Sequence, residues 1–142
     1  MLLVLLSLRQ NNLEVIKINN VRNWERERHT SASYVDINNI LSKNNKKKFV
    51  EDAEEIAKDW KRLSNSTIRK IYEWIDNIKD PTNIVFIKPK LAYLQGRKLI
   101  GKNIYNFLTK VIDRINNKTE LDNFKDFFEA IVAYNKYWEV NR

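Results

Sequence analysis

The chain has 142 residues, of which 43% are hydrophobic, and its 26 basic and 18 acidic side chains give a net charge of +8. With only 2 Gly and 2 Pro, it lacks the turn residues of β-sandwiches and barrels and the phosphate loops of doubly wound nucleotide-binding folds. The absence of Cys excludes disulfide scaffolds, thiolate zinc sites and a Cys nucleophile.

The first 45 residues are interpreted as a poorly defined N-terminal extension that is in part disordered. The apolar run Met1–Leu8 is too short to span a membrane and lacks the flanks of a signal peptide. It could instead pair with the run 13–18 as a hairpin. Ser33 and Asp36 resemble a capping box and predict a short helix near 34–42, with Tyr34 on its apolar face.

Residues 46–142 are predicted to form a helical bundle domain. Apolar residues recur at helical spacing from Phe49 to 139, which predicts five amphipathic helices joined by short connections. A basic linker precedes Phe49, and an i,i+4 pair of Glu54 with Lys58 supports the first helix. The fold class is therefore all-α, an antiparallel bundle of about five helices.

Residues with N-capping or helix-breaking character set the boundaries of the later helices. The segment 64–66 caps the second helix, and Asp80-Pro81 ends it. Pro89 suits the first turn of the third helix, and Gly96 ends or bends that helix. The fourth helix follows Gly101, and Thr119 caps the fifth.

No catalytic, metal or cofactor site is predicted. The carboxylates from Glu51 to Asp59 fall on one solvated helix face, and the single histidine, His29, has no ligand-spaced neighbours. Asp122, Asp126 and Glu129 form a stripe that we assign to a surface rather than to catalysis.

Aromatic residues are assigned mainly to packing. Tyr72, Tyr105 and Tyr134 fall on apolar faces, whereas Trp74 and Tyr93 lie off the main stripes. For these last two we favour packing, with contact to a partner as the alternative.

Basic residues concentrate in the segment 88–118, which holds eight of them against Asp113 alone, a net charge of +7. A solvated helix surface explains such a cluster as well as phosphate binding does. The lack of acidic neighbours favours an anionic partner such as nucleic acid.

Three segments in order resemble the Csm small subunit of type III-A CRISPR effector complexes. They are Leu63–Tyr72 (LSNSTIRKIY), Lys88–Arg97 (KPKLAYLQGR) and Phe124–Tyr134 (FKDFFEAIVAY), and the resemblance covers about 49–138. At Asn135 the chain departs from the family's usual His, and we assign no role there. The resemblance implies an all-helical, non-catalytic, cytoplasmic subunit of an antiviral defence complex, with no cofactor.

The resemblance also implies partners. Several copies would stack along the guide and target RNA, beside other subunits of the complex, and would contact phosphates without reading bases. Six basic residues that the matched helices would bring together are the candidate RNA-binding set: Arg69, Lys70, Lys88, Lys90, Arg97 and Lys98. Two alternatives are a helical protein–protein interaction module with no nucleic-acid role and, less favoured, a membrane-surface protein anchored by Met1–Leu8.

Overall fold

The computed structural model describes residues 35–140, which fold into α-helices and one 3₁₀ helix with no strand in that range. The predicted all-α class is therefore confirmed. The helices are α1 (Ile37–Ser42), α2 (Lys46–Asp59), α3 (Asn65–Asp76), a 3₁₀ helix (Pro81–Phe86), α4 (Ile87–Gly96), α5 (Lys102–Arg114) and α6 (Lys118–Val140). The predictions for the apolar runs, His29, Ser33 and Tyr34 lie outside the described residues.

Helix α6 is the central element, and α1, α2 and α3 all pack against it. Its fully buried phenylalanines fill the core. The Phe127 ring meets Phe49 of α2 edge-on at 5.2 Å, and the Phe128 ring lies between Trp60, at 6.0 Å, and Tyr72 of α3, at 6.4 Å. Burial of such rings, each with 150–250 Å² of surface, is the main source of stability in a bundle of this kind.

Helices α4 and α5 pack against each other, and α4 also contacts α3. The Trp60 ring, which also touches Phe128, meets Phe107 of α5 at 6.3 Å. One indole therefore links α5 to the core around α6.

Hydrogen bonds correct several predicted helix starts. Helix α2 begins at Lys46 rather than Phe49, because the Asn45 side chain accepts from the Lys48 amide at 3.0 Å. Helix α6 is capped by Asn117, not Thr119: the Asn117 side chain accepts from the Glu120 amide at 2.8 Å. Asp36 caps α1 by accepting from the Asn39 amide. The predicted cap of α3 is confirmed at Ser64, which accepts from the Thr67 amide.

The short helix expected near 34–42 is present as α1, and buried amides hold it in place. Asn39 donates to the Asn45 carbonyl at 3.0 Å and accepts from its amide at 2.9 Å. Asn123 of α6 donates to the Leu41 carbonyl at 2.6 Å. The bond from Asn123 satisfies a carbonyl at the end of α1 that the helix itself leaves unpaired, and the two bonds of Asn39 join α1 to the residue that caps α2.

Two predictions for the charged face of α2 are wrong. Lys58 pairs with Glu55 at 3.4 Å, rather than with the predicted Glu54. Asp52 is buried rather than solvated, because the Lys48 ammonium reaches both of its oxygens at 3.0 Å. A buried carboxylate is tolerated when a cation binds it.

The connection from α3 to α4 is ordered by two charged side chains. Asp80 caps the 3₁₀ helix, and hydrogen bonds from the Thr82 amide and hydroxyl hold the pKa of Asp80 below its usual value. Lys125 of α6 donates to the carbonyls of Asp76 and Ile78 at the end of α3. Desolvation, aided by the nearby charge of Lys79, lowers the pKa of Lys125, while Asp76 partly offsets that shift. This connection sets where α4 starts relative to α3.

Candidate nucleic-acid interface

The contact between α3 and α4 brings a lysine over an indole. Trp74 is half-buried at the edge of the apolar face of α3, and the Lys90 Nζ of α4 lies 5.1 Å from its ring centroid. Lys70 precedes Trp74 by one turn, so the two residues lie on the same side of α3. Lys70 and Lys90 are thereby placed on either side of one helix–helix contact.

The next turn of α4 carries a second pair of an aromatic ring and a cation. The Arg97 guanidinium donates to the Tyr93 hydroxyl at 2.7 Å and lies 5.6 Å from the ring centroid. Tyr93 itself is 55% exposed. The favoured assignment of Tyr93 to packing is therefore wrong, because the ring lies on the outer side of α4 with Arg97 as its neighbour.

The turn after α4 holds Lys98 in a fixed position. The Lys98 amide donates to the Gln95 carbonyl and the Leu99 amide to the Leu94 carbonyl, at 3.0 and 2.9 Å, which is a Schellman cap. Lys98 takes the left-handed position of this cap, with φ of 62°. Gly96 is the last helical residue, as predicted, although it does not take the left-handed position.

A shallow hollow connects this turn to α3. It is lined by the hydroxyl-bearing residues that begin α3, by Lys70, and by Leu94 and Leu99 from the end of α4. Lys70 therefore lies beside the segment that carries Arg97 and Lys98. We call the following set the basic seam: Lys70, Trp74, Lys90, Tyr93, Arg97 and Lys98.

The structure does not bring all six predicted residues to this seam. The Lys88 Nζ lies 2.7 Å from the Asp113 carboxylate of α5, so an acidic partner neutralises its charge. Arg69 is exposed on α3 but lies about 100° around the helix axis from Lys70, on the same side as Glu73.

The side of α3 that faces α6 has the opposite electrostatic character. Burial raises the pKa of Tyr72, and the carboxylates of Glu129, Asp76 and Asp126 raise it further. Arg69 is close to this acidic side along the helix, whereas Lys70 borders α4. Four of the six predicted cations remain at the seam, and none of the four has an acidic partner among residues 35–140.

Two carboxylates of the acidic stripe of α6 bind lysines. Asp122 pairs with Lys118 and Asp126 pairs with Lys43, each at 2.6 Å. Within the described part of the chain, no group of three His, Asp or Glu residues is placed to hold a metal ion. Between residues 35 and 140, no helix is long and apolar enough to cross a membrane.

A family model described as Csm2 Type III-A matches residues 43–141. The chain belongs to the Csm2 type III-A family. The resemblance drawn from the three motifs, which covered about 49–138, is thus confirmed over a similar range. Membership supports a role as a subunit of a type III-A CRISPR complex. Comparisons with curated proteins and with solved structures gave no match.

The aromatic members of the seam were not predicted as functional residues. Arg97 follows Tyr93 by four residues, about one helical turn, so their contact could have been predicted from spacing alone. Trp74 and Lys90 are on different helices, and no spacing rule links them. Only the packing of α3 on α4 brings that indole to that ammonium.

Proposed function

We propose that this chain is a non-catalytic subunit that binds the RNA of a type III-A CRISPR complex through the basic seam. The observation that carries the proposal is the clustering of Lys70, Lys90, Arg97 and Lys98 with no acidic partner in the described part of the chain. Contacts of lysine and arginine with phosphate oxygens supply affinity without reading base identity.

The spacing of these cations suits a nucleic-acid backbone. Lys90 and Arg97 are seven residues apart and lie on the same side of α4, which places them about 10 Å apart along the helix axis. Arginine binds phosphate with two parallel hydrogen bonds, and lysine acts as a compact point charge. The seam therefore offers several separate contacts along one strand.

Stacked copies, contacts with other subunits and a cytoplasmic location complete the proposal. Family membership supports these features. Guide RNA and target RNA are the partners that the positive seam would contact.

A protein–protein interaction module is the second candidate, and one observation favours it. Val85 and Phe86, at the end of the 3₁₀ helix, are 48% and 65% exposed. Neighbouring apolar side chains with this exposure are typical of contact surfaces. They lie just before α4, so a protein partner and RNA would approach neighbouring parts of the molecule.

The test reverses three charges in the assembled complex. We expect Arg69→Glu, Lys90→Glu and Arg97→Glu together to weaken target-RNA binding for every sequence, because phosphates carry no base identity. The slope of log affinity against log salt should flatten by roughly 0.7–0.9 for each phosphate that the protein no longer neutralises. Affinity is measured between low and moderate salt.

A matched control reverses the same number of charges elsewhere. Lys46, Lys47 and Lys136 are exposed on α2 and α6, and their change to Glu should leave affinity and slope close to wild type. Because Arg69 lies off the seam, a second triple variant carries Lys70→Glu in place of Arg69→Glu. It should lose at least as much affinity for RNA. Unchanged affinity and slope in both triple variants, with the subunit still incorporated, would exclude the basic seam as the RNA contact.

A further inference from the structure

Tyr93 combines exposure with a fixed orientation. The residue is 55% exposed, while its hydroxyl accepts a 2.7 Å hydrogen bond from Arg97. Most exposed tyrosine side chains lose rotational freedom when a partner binds, which lowers affinity. Here Arg97, the residue directly after α4, already restrains the hydroxyl end of the ring.

The cations around Tyr93 match what a nucleotide presents. Lys90 lies three residues before it and Arg97 four residues after it, so both cations share its side of α4. A base is a flat aromatic group, and the phosphates that flank it are anions. The Tyr93 ring can stack on the base, and the cation on either side of it along the helix can bind one of the two flanking phosphates.

Proteins that hold single strands combine these two elements, a basic groove for the backbone and aromatic rings for the bases. We propose that Tyr93 is a stacking platform for an unpaired RNA base, with Lys90 and Arg97 binding the adjoining phosphates. This inference rests on the proposed RNA-binding function and adds to it a contact with bases. Stacking accepts any base, so it is consistent with binding that does not depend on sequence.

The expected ligand is an unpaired nucleotide, because stacking needs a free base face. In a regular duplex each base is covered by its neighbours above and below. Tyr93 would therefore add nothing to duplex binding, whereas the cations of the seam would bind duplex and single strand alike.

The experiment compares strands with and without bases. The probes are a labelled oligouridine, an abasic oligoribonucleotide of the same length, and a blunt RNA duplex, each titrated with the full-length protein by fluorescence anisotropy. The variant Tyr93→Leu removes the ring, and Tyr93→Phe retains the ring but loses the bond to Arg97. Tyr137→Leu is the matched control, because Tyr137 is 53% exposed on α6.

We expect Tyr93→Leu to bind oligouridine about tenfold more weakly, which corresponds to about 1.4 kcal/mol. Its affinity for the abasic strand and the duplex should equal that of wild type. Tyr93→Phe should bind oligouridine nearly as well as wild type, and Tyr137→Leu should bind all three probes unchanged.

The possible negative results separate the stacking role of Tyr93 from the phosphate contacts of the seam. Equal losses on oligouridine and on the abasic strand would overturn the stacking role, because Tyr93 would then act only by positioning Arg97. No loss on oligouridine would also overturn it, while salt-dependent binding by wild type would leave the phosphate interface standing. Binding of no probe by wild type would overturn the proposed function and this inference together.

Discussion

Basic side chains have different neighbours on the two sides of this bundle. On the side built from α1, α2 and α6, lysines meet carboxylates: Lys43–Asp126, Lys48–Asp52, Lys58–Glu55, Lys118–Asp122 and Lys136–Glu139. Lys43 and Lys58 also lie over aromatic rings. At the seam between α3 and α4, Lys90 and Arg97 lie against aromatic rings and have no carboxylate partner in the described part of the chain. Net charge alone does not distinguish these two environments.

The difference shows which cations are available to an anion. A lysine whose ammonium already binds a carboxylate has much of its charge neutralised locally, so a phosphate gains little by approaching it. A cation over an aromatic ring keeps its net charge, and the ring stabilises it by only about 0.5–1 kcal/mol at an exposed site. Lys90 and Arg97 therefore remain open to phosphate, whereas the ammonium groups of Lys43 and Lys118 already bind carboxylates.

The largest expected effect tests whether both sides depend on one core. Phe128 is fully buried and contacts Trp60 at the end of α2 as well as Tyr72 of α3. We expect Phe128→Ala to leave a cavity that lowers the free energy of unfolding by about 3–5 kcal/mol. Thermal unfolding followed by circular dichroism should show a midpoint lower by on the order of 10 °C.

The control for this prediction keeps most of the side-chain volume. Phe128→Leu should cost clearly less, because less of the cavity is left empty. Hydrogen exchange should show α2 and α3 losing protection together in Phe128→Ala. A midpoint shift of about one degree, or loss of protection confined to one side, would mean that the two sides do not share this core.

Sequence periodicity predicted α2 to α6 because each of these helices buries a continuous apolar stripe. The 3₁₀ helix Pro81–Phe86 was missed, since it buries only Ile84 and therefore shows no helical period. Within the site, the sequence could not show that Lys88 pairs with a carboxylate whereas Lys90 lies over an aromatic ring. The pairing depends on Asp113, which is 25 residues from Lys88 in the chain and reaches it only because α5 packs on α4.

A matched pair of neutral substitutions sharpens the comparison between the two sides. Lys48→Met leaves the buried Asp52 without its cation and should lower the free energy of unfolding by about 1–2 kcal/mol. Lys90→Met removes only the contact with Trp74 and should cost less than about 1 kcal/mol. Urea unfolding measures both effects.

The ranking should reverse for RNA binding. In assembled complexes Lys90→Met should reduce the salt slope by roughly 0.7–0.9, the value for a single phosphate contact. Lys48→Met should leave the slope at its wild-type value. If the two variants lose stability equally, or lose RNA affinity equally, the division between paired and open cations does not hold.

The smallest expected effect separates stability from binding at a single seam residue. Lys98 holds a left-handed conformation with φ of 62°, which is unfavourable for a residue with a Cβ atom and is usually taken by glycine at this point of a Schellman cap. Lys98→Gly relieves that conformation, while the added freedom of glycine in the unfolded chain opposes part of the gain. We expect a net stabilisation of about 0.5–1 kcal/mol, measured by urea unfolding, together with a flatter salt dependence of RNA binding.

Lys98→Asn is the control, because asparagine tolerates the left-handed region and lacks the charge. It should also weaken RNA binding. A destabilised Lys98→Gly would show that the lysine side chain itself supports the cap, and unchanged RNA binding in both variants would remove Lys98 from the seam's phosphate contacts. A gain in stability with a loss of binding would show that the cation is kept at this strained position for its contact with RNA.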